Sequence, residues 1–257
     1  LGPTTAPLSG LSSMTGYEGG KPEEVGVSLG DPAAGIATAH LLIAALIARR
    51  RTGEGQFIDT SLWEATASSA VEGWTQQILT GQQPDFCGNR DPIMAPHNLY
   101  RCQGEDDWVA ISCATEQQWK KMAALLDLDD PKFASETSRK QFENELDALI
   151  EAWTSRHDKW ELTHILQSED IPAMPSLDVQ SLETDPHLNS RGFIERLEHP
   201  VVGTLAHTGI PWLLRDGPNG VRSPAPMLGE HTEQVLSSLL GFSDDEIQDL
   251  RDRNVLG

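Results

Sequence analysis

The apolar positions of this chain fall into segments of different period. The longest runs from Ala33 to Ala48 and is interrupted by Thr38 and His40. It is apolar all round, which predicts a helix over residues 33–51 that is buried on most sides. The run is shorter than the ~18–20 residues needed to cross a bilayer, so a core helix is expected and no membrane partner. Arg49, Arg50 and Arg51 fall in its last turn, where positive charge suits the helix dipole, and Gly53 can end it. Gln56–Thr60 predicts a short strand. Ser61 then caps a second helix reaching about Leu79, with Leu62, Ala65, Ala70, Val71, Trp74 and Ile78 as its buried positions. Helix, strand and helix in quick order point to an α/β layer.

The rest of the chain is read in the same way. Residues 1–30 are rich in Gly, Pro, Ser and Thr and predict a loop or short helix, with a turn at Gly19–Pro22. Gly81–His97 is a long irregular loop, a feature that is usually functional or mobile. Leu99–Cys102 and Trp108–Ser112 predict two strands joined by a turn at Gly104–Asp107. Helices follow at about 115–127, 139–154 and 158–168. The second shows a 3.6-residue face of Phe142, Leu146, Leu149, Ile150 and Trp153. The acidic runs Asp127–Asp130 and Glu143–Glu145 read as solvated faces. Ile171–Pro175 is extended, Val179–Thr184 a short helix and Asp185–His187 a turn. Phe193–Glu198 and Thr204–Thr208 predict a strand pair. Gly229–Gly241 is expected to be helical, and Ser243 to cap a last helix toward Arg253. The expected organisation is therefore three segments: 1–97 as part of a larger domain, 98–170 as a small α+β domain, and 171–257 returning to the first.

Composition narrows the classes of function. A net charge of −20 over 257 residues argues against a nucleic-acid partner, whose binding would rest on clustered Lys and Arg. The three cysteines, Cys87, Cys102 and Cys113, have neither metal-ligand spacing nor an even-numbered framework, which fits a reducing cytoplasm. The histidines are scattered without metal-like spacing, so no metal site is expected. The chain opens on Leu1 without a basic n-region or an apolar h-region. It also opens without methionine, which reads as the interior of a longer polypeptide.

One carboxylate stands out. Asp31 lies between Gly30 and Pro32 at the head of the long apolar helix. Pro32 suits the first helical position, which puts Asp31 at or next to the N-cap. Gly30 would let a ligand approach the backbone. On these residues alone Asp31 is a helix cap or a nucleophilic or acid–base carboxylate, and both readings stay open.

Five motifs then carry a resemblance. In order they are Leu8–Gly16 (Leu-Ser-Gly-Leu-Ser-Ser-Met-Thr-Gly), Gly30–Gly35 (Gly-Asp-Pro-Ala-Ala-Gly), Arg50–Gln56 (Arg-Arg-Thr-Gly-Glu-Gly-Gln), Asp185–Phe193 and Pro224–Thr232. Together, over nearly the whole chain, they resemble the family III CoA-transferases, which include formyl-CoA, carnitine and bile-acid CoA-transferases and related acyl-CoA racemases.

The resemblance implies an α/β fold made of part of a Rossmann-like large domain plus a small α+β domain. It also implies that the first part of the large domain precedes the first motif seen here. Asp31 matches the family's catalytic aspartate, which carries CoA as an aspartyl thioester between an acyl-CoA and a carboxylic acid. Coenzyme A enters as substrate, and no cofactor is held permanently. Gly30, Leu62, Gly88, Asn89 and Arg90 are expected to bind substrate or CoA. Gly88–Asp91 falls where the family carries a glycine-rich segment over the active site, although one glycine here replaces a run, and an ordinary turn fits equally. Glu116 matches an acidic residue near the racemase site and also suits a helix start. The stretch Gly2–Leu8 has none of the His, Asp, Asn or Tyr of the corresponding racemase segment, which favours transfer over racemisation. Expected partners are an interlocked second copy or a complementary N-terminal piece; the alternatives to a transferase are an acyl-CoA racemase or isomerase of the same family and a truncated or subunit form not active alone.

Overall fold

In the computed structural model the long apolar segment folds as a 23-residue helix, α2 (Gly30–Thr52), with Arg49, Arg50 and Arg51 in its last turn. Gly53 ends it in the left-handed conformation at φ 80°, donating its N–H to the Arg49 carbonyl at 2.8 Å. The structure describes residues 2–24, 26 and 28–256. By contact the chain divides after Ser176 into two units.

In the first unit, α1 (Gly2–Leu8), α2 and α3 (Leu62–Ala67) pack together, and α4 (Val71–Thr80) follows α3 after a 3₁₀ turn at Ser68–Ala70. Ser61 caps α3 as its sequence predicts, accepting from the Glu64 N–H at 3.2 Å. Burial on these helices departs from the sequence expectation. Ala34, Thr38, Ala45 and Ala48 form the half-buried side of α2, while the large aliphatics point outward, with Ile36 67%, Ile43 59% and Ile47 54% exposed. Val71, Trp74 and Ile78 of α4 are likewise exposed, and of the predicted set only Ala70 is buried. Small residues seat α2 closely on its neighbours, and nothing among the described residues covers its outer face. By length and composition α2 could cross a membrane, which corrects the view that the apolar run is too short. Gln56–Thr60 is not a strand: a strand needs a ladder partner, and none pairs there among the described residues.

Beyond the loop at 81–96, β1 (His97–Arg101), β2 (Trp108–Ser112) and β3 (Ala173–Pro175) form an antiparallel sheet in that order. Tyr100 faces Val109, and Ile111 faces Ala173. These inner residues bury against α5 (Glu116–Leu125), α7 (Glu143–Thr154) and α8 (Lys159–Ser168), with Trp119, Met122, Leu146, Ile150, Leu162 and Leu166 in the core. The predicted helix over 139–154 is two helices. α6 (Glu136–Gln141) stops at Phe142, whose backbone leaves helical geometry at φ −109°, ψ 28°. Of the run Glu143–Glu145, Asn144 and Glu145 are exposed as expected, but Glu143 is buried and ion-paired.

The second unit begins with α9 (Val179–Thr184) and α10 (Pro186–Ser190), the latter capped by Asp185 with Pro186 in its first turn. β4 (Ile194–His199) and β5 (Gly203–Thr208) pair antiparallel. In place of a regular helix over 229–241, the chain makes a single turn, α11 (Thr232–Gln234), that runs on into π geometry at Val235–Leu239. Ser243 and Glu246 form the capping box of α12 (Asp244–Asp252).

Candidate active site

The head of α2 is built by close approach. A Cβ on Gly30 would stand 2.7 Å from Thr66 Oγ1 and 3.4 Å from the Thr5 Cβ, so only glycine lets α2 start between α1 and α3. Thr66 Oγ1 in turn donates to the Leu62 carbonyl at 2.8 Å. Gly30 and the start of α3 at Leu62 thus meet through one buried threonine. Here the sequence expectation shifts by two residues. The N-cap is Leu29, whose carbonyl accepts from the Ala33 N–H at 3.1 Å, and Asp31 and Pro32 lie inside the first turn. Pro32 is tolerated because first-turn N–H groups have no intrahelical partner. The Asp31 side chain is exposed, and its Oδ2 accepts a short hydrogen bond from Ser28 Oγ. No ion pair reaches Asp31 among the described residues. Val27, in the same stretch, lies outside the described residues.

Gly88, Asn89 and Arg90 gather elsewhere in this unit. Gly88 adopts φ 59° and donates its N–H to the Gly16 carbonyl at 3.0 Å. The Tyr17 ring fills the place of a Cβ, 2.8 Å away. The Asn89 carbonyl accepts from His97 Nδ1 at 2.9 Å. Arg90 donates Nε and Nη2 to Asp147 Oδ2 at 3.1 and 2.7 Å, and Nη2 also to Asn144 Oδ1 at 2.7 Å. Burial opposes its charge, but the hydrogen bond and charge of Asp147, with Glu143 and Glu18, outweigh that and raise its pKa. Asp147 also accepts from Tyr100 Oη at 2.7 Å and Asn98 Nδ2 at 3.0 Å. These three loop residues border a cavity of about 510 Å³ on the open face of the β1–β2–β3 sheet. They share no hydrogen bond with Gly30, Asp31 or Leu62 among the described residues.

An exposed carboxylate at a helix head, in this order of motifs, can be set beside known proteins. The model of CoA-transferase family III matches residues 1–232.

This chain belongs to CoA-transferase family III.

Among curated relatives, it is 27% identical over 253 residues to the succinyl-CoA–D-citramalate CoA-transferase of Chloroflexus aurantiacus, covering 97% of this chain and 63% of that protein. It is 30% identical over 271 aligned positions to a formyl-CoA:oxalate CoA-transferase of Rhodopseudomonas palustris, with 96% and 64% covered. A CAIB/BAIF family protein from Brucella suis superposes with a TM-score of 0.82 at 25% identity, over 91% of this chain and 61% of that one. Rv3272 of Mycobacterium tuberculosis shares the fold, with a TM-score of 0.70 at 20% identity, over 89% and 61%. The chain thus spans less than two thirds of the length of these relatives.

Within this family III chain the remaining candidates have structural employment. Glu116 opens α5 behind the Thr115 cap and pairs with the buried Arg139 at 2.6 Å. Glu230 Oε2 accepts from the Met227 N–H at 2.6 Å in a local turn. His40 is exposed on α2. Burial pushes the thiol of Cys102 up to about 11 and that of Cys113 up to about 12, so neither is a ready nucleophile. No group of three or more His, Cys, Asp or Glu converges to hold a metal among the described residues.

Sequence reasoning missed Asp147 and Arg139. The available signal was weak: a polar Asn98 sharing the inward side of β1 with Tyr100.

The carboxylates holding this region give it an acid dependence. The hydrogen bond from Arg139 pulls the Glu116 pKa down, and the Met94 and Ile93 N–H groups do the same for Asp91. Depressed folded-state values mean stability that is present above the ordinary carboxylate range of about 4. That contribution is lost as pH falls through the lowered values. Urea midpoints of the first unit should therefore fall steadily below about pH 4. Glu116→Gln should flatten that slope, and an unchanged slope would count against the pairing.

Proposed function

We propose that this chain supplies the nucleophile of an acyl-CoA:carboxylate CoA-transferase, and that Asp31 is that nucleophile. The observation that carries the reading is Asp31 itself, an exposed carboxylate in the first turn of a 23-residue helix, paired only with Ser28 among the described residues. First-turn amides favour negative charge and offer donors to oxyanions. Glycine at 30 lets this first turn start against Thr5 and Thr66, where a Cβ would clash.

In this reading an Asp31 oxygen attacks the thioester carbonyl of the donor and expels CoA thiolate, leaving a mixed anhydride. The thiolate attacks the aspartyl carbonyl and releases the donor's acid, giving an aspartyl-CoA thioester. The acceptor carboxylate attacks that carbonyl and frees the thiolate again. Thiolate then attacks the acceptor's acyl carbonyl, which forms the new acyl-CoA and restores Asp31. Coenzyme A is a substrate throughout. Relatives named for formyl-CoA with oxalate and for succinyl-CoA with citramalate support an acyl-CoA and a carboxylic acid as partners.

A second reading rests on the outward aliphatics of α2 and on Trp74 and Ile78 of α4. We propose that the working site needs further polypeptide over these faces, from a second copy of the chain or from a complementary piece, and that the Rossmann-like large domain is completed there. On this reading the 257-residue chain alone binds CoA weakly or not at all by calorimetry.

Trapping tests the first reading. The complete assembly is incubated with acyl-CoA donors, quenched with hydroxylamine or borohydride, and mapped by mass spectrometry. Modification at Asp31 is the expected result. An unmodified Asp31 in a turning-over enzyme would sink the mechanism, and exchange of the donor's α-proton with deuterated solvent without an acceptor acid would point to a racemase.

A further inference from the structure

The cavity on the open sheet face is not used by the chemistry at Asp31. We infer that it is a subsite for the apolar part of an acyl group and that it rejects a second carboxylate. The inference rests on the reading above only in taking an acyl-CoA as the ligand.

The floor of the cavity follows from strand register. Leu99 stands opposite Ala110, and Ala110 opposite Met174, so one methyl group lies between two long apolar side chains. Pro172 and Ala173 extend the apolar lining. A volume of about 510 Å³ suits a small-molecule site, as does an apolar lining with few polar groups.

Those polar groups decide the class of ligand. His97 Nδ1 points at the Asn89 carbonyl, an acceptor, so Nδ1 carries the proton. That donor is already engaged by the loop and is not free for a ligand. Arg90 is the cation of the lining, and its guanidinium is engaged by Asp147 and Asn144, with Glu143 and Glu18 within 3.8 Å. Turning it toward a ligand would strip a partly buried carboxylate that also holds Tyr100 and Asn98. A carboxylate placed here would lose water without gaining the Arg90 guanidinium as a partner. An alkyl segment loses nothing polar and gains about fourfold in affinity per buried methylene. The chain is thereby set apart from relatives named for oxalate and citramalate, whose acids carry more than one carboxylate.

The test uses matched neutral and charged probes on the full chain, with methyl resonances of Leu99, Ala110 and Met174 as the readout. Butanamide and hexanamide should shift these methyls, with affinity rising at least tenfold between the two. Succinamate, which is butanamide ending in a carboxylate, should bind at least tenfold more weakly than butanamide. Ala110→Phe, at an exposed position on the open face, should lower hexanamide affinity at least tenfold by filling the cavity. Met174→Ala, which adds no bulk, should lower it severalfold. Succinamate binding as tightly as butanamide would overturn the inference, as would methyls that do not respond to either amide, or an Ala110→Phe protein that binds as before. Trapping at Asp31 is scored separately. An Asp31 adduct without cavity shifts removes the subsite alone, and cavity shifts without an adduct remove the transfer reading alone.

Discussion

Asp31→Asn is expected to lower kcat/KM for CoA transfer by about 10⁴-fold or more in the complete assembly, because in the proposed mechanism every covalent intermediate forms on this group. The amide is close in shape to the carboxylate and can still accept from Ser28 Oγ. It is a far poorer nucleophile and carries no charge. Its structural cost is small for the same geometric reason. The side chain is exposed and has no ion pair among the described residues, so its loss removes at most the favourable helix-terminus term, roughly 0.3–1 kcal/mol. The two quantities therefore separate. Turnover should vanish while the urea midpoint stays nearly fixed. If Asp31→Asn retained a tenth of the wild-type rate, another group would carry the acyl transfer. If instead it unfolded the first unit, the residue would be a structural cap, the reading its sequence position also allowed.

The contrast between Asp31 and Asp147 shows which parts of a site a sequence exposes. Asp31 sits among Gly30, Pro32 and the apolar run that follows, and a local rule about helix starts was enough to single it out. Asp147 binds Arg90, Asn98 and Tyr100 across separations of 57, 49 and 47 residues. Nothing near it in the chain distinguishes it from the solvated acidic residues of other helices, because the partners that define its role arrive only with the tertiary fold.

The same division runs through the fold. Caps and turns were legible because they are local: Ser61, Gly53 and Ser243 each act on neighbours within four residues. Strands β2, β4 and β5 were legible because turn residues bracket short apolar or alternating runs, and each found its partner nearby. Gln56–Thr60 has the same composition signal but no partner among the described residues, and composition alone does not make a ladder. Burial was the least legible property. A helix that is apolar all round says that it must be covered, not by what. On α2 the small side meets α1 and α3 while the isoleucines face outward. Nothing among the described residues supplies the cover, and the chain spans 61–64% of these relatives.

Arg139→Ala is expected to be the most destabilising single substitution in the first unit, at about 3–5 kcal/mol by urea unfolding. Arg139 is 1% exposed and joins three separate segments. Its Nε donates to the Ala95 carbonyl at 2.8 Å, at the end of the long loop. Its Nη1 donates to the Phe133 carbonyl at 3.2 Å, and its fork holds both Glu116 oxygens, at 2.6 and 3.3 Å. The guanidinium carbon also lies 5.0 Å from the centre of the Trp119 ring. Truncation leaves carbonyls without their donor in a dry interior, each worth roughly 1–3 kcal/mol, together with an unfilled volume. The ion pair itself is the smaller part. Glu116 is 52% exposed on its side chain and can return to water, so Glu116→Gln should cost about 1 kcal/mol or less. Arg139→Lys should fall between the two, since a point charge cannot replace a planar fork that reaches three acceptors. The order Ala, then Lys, then the Glu116 variant is the informative result. Equal costs for Arg139→Ala and Glu116→Gln would mean that the salt bridge, and not the two backbone carbonyls, holds the loop that borders the cavity.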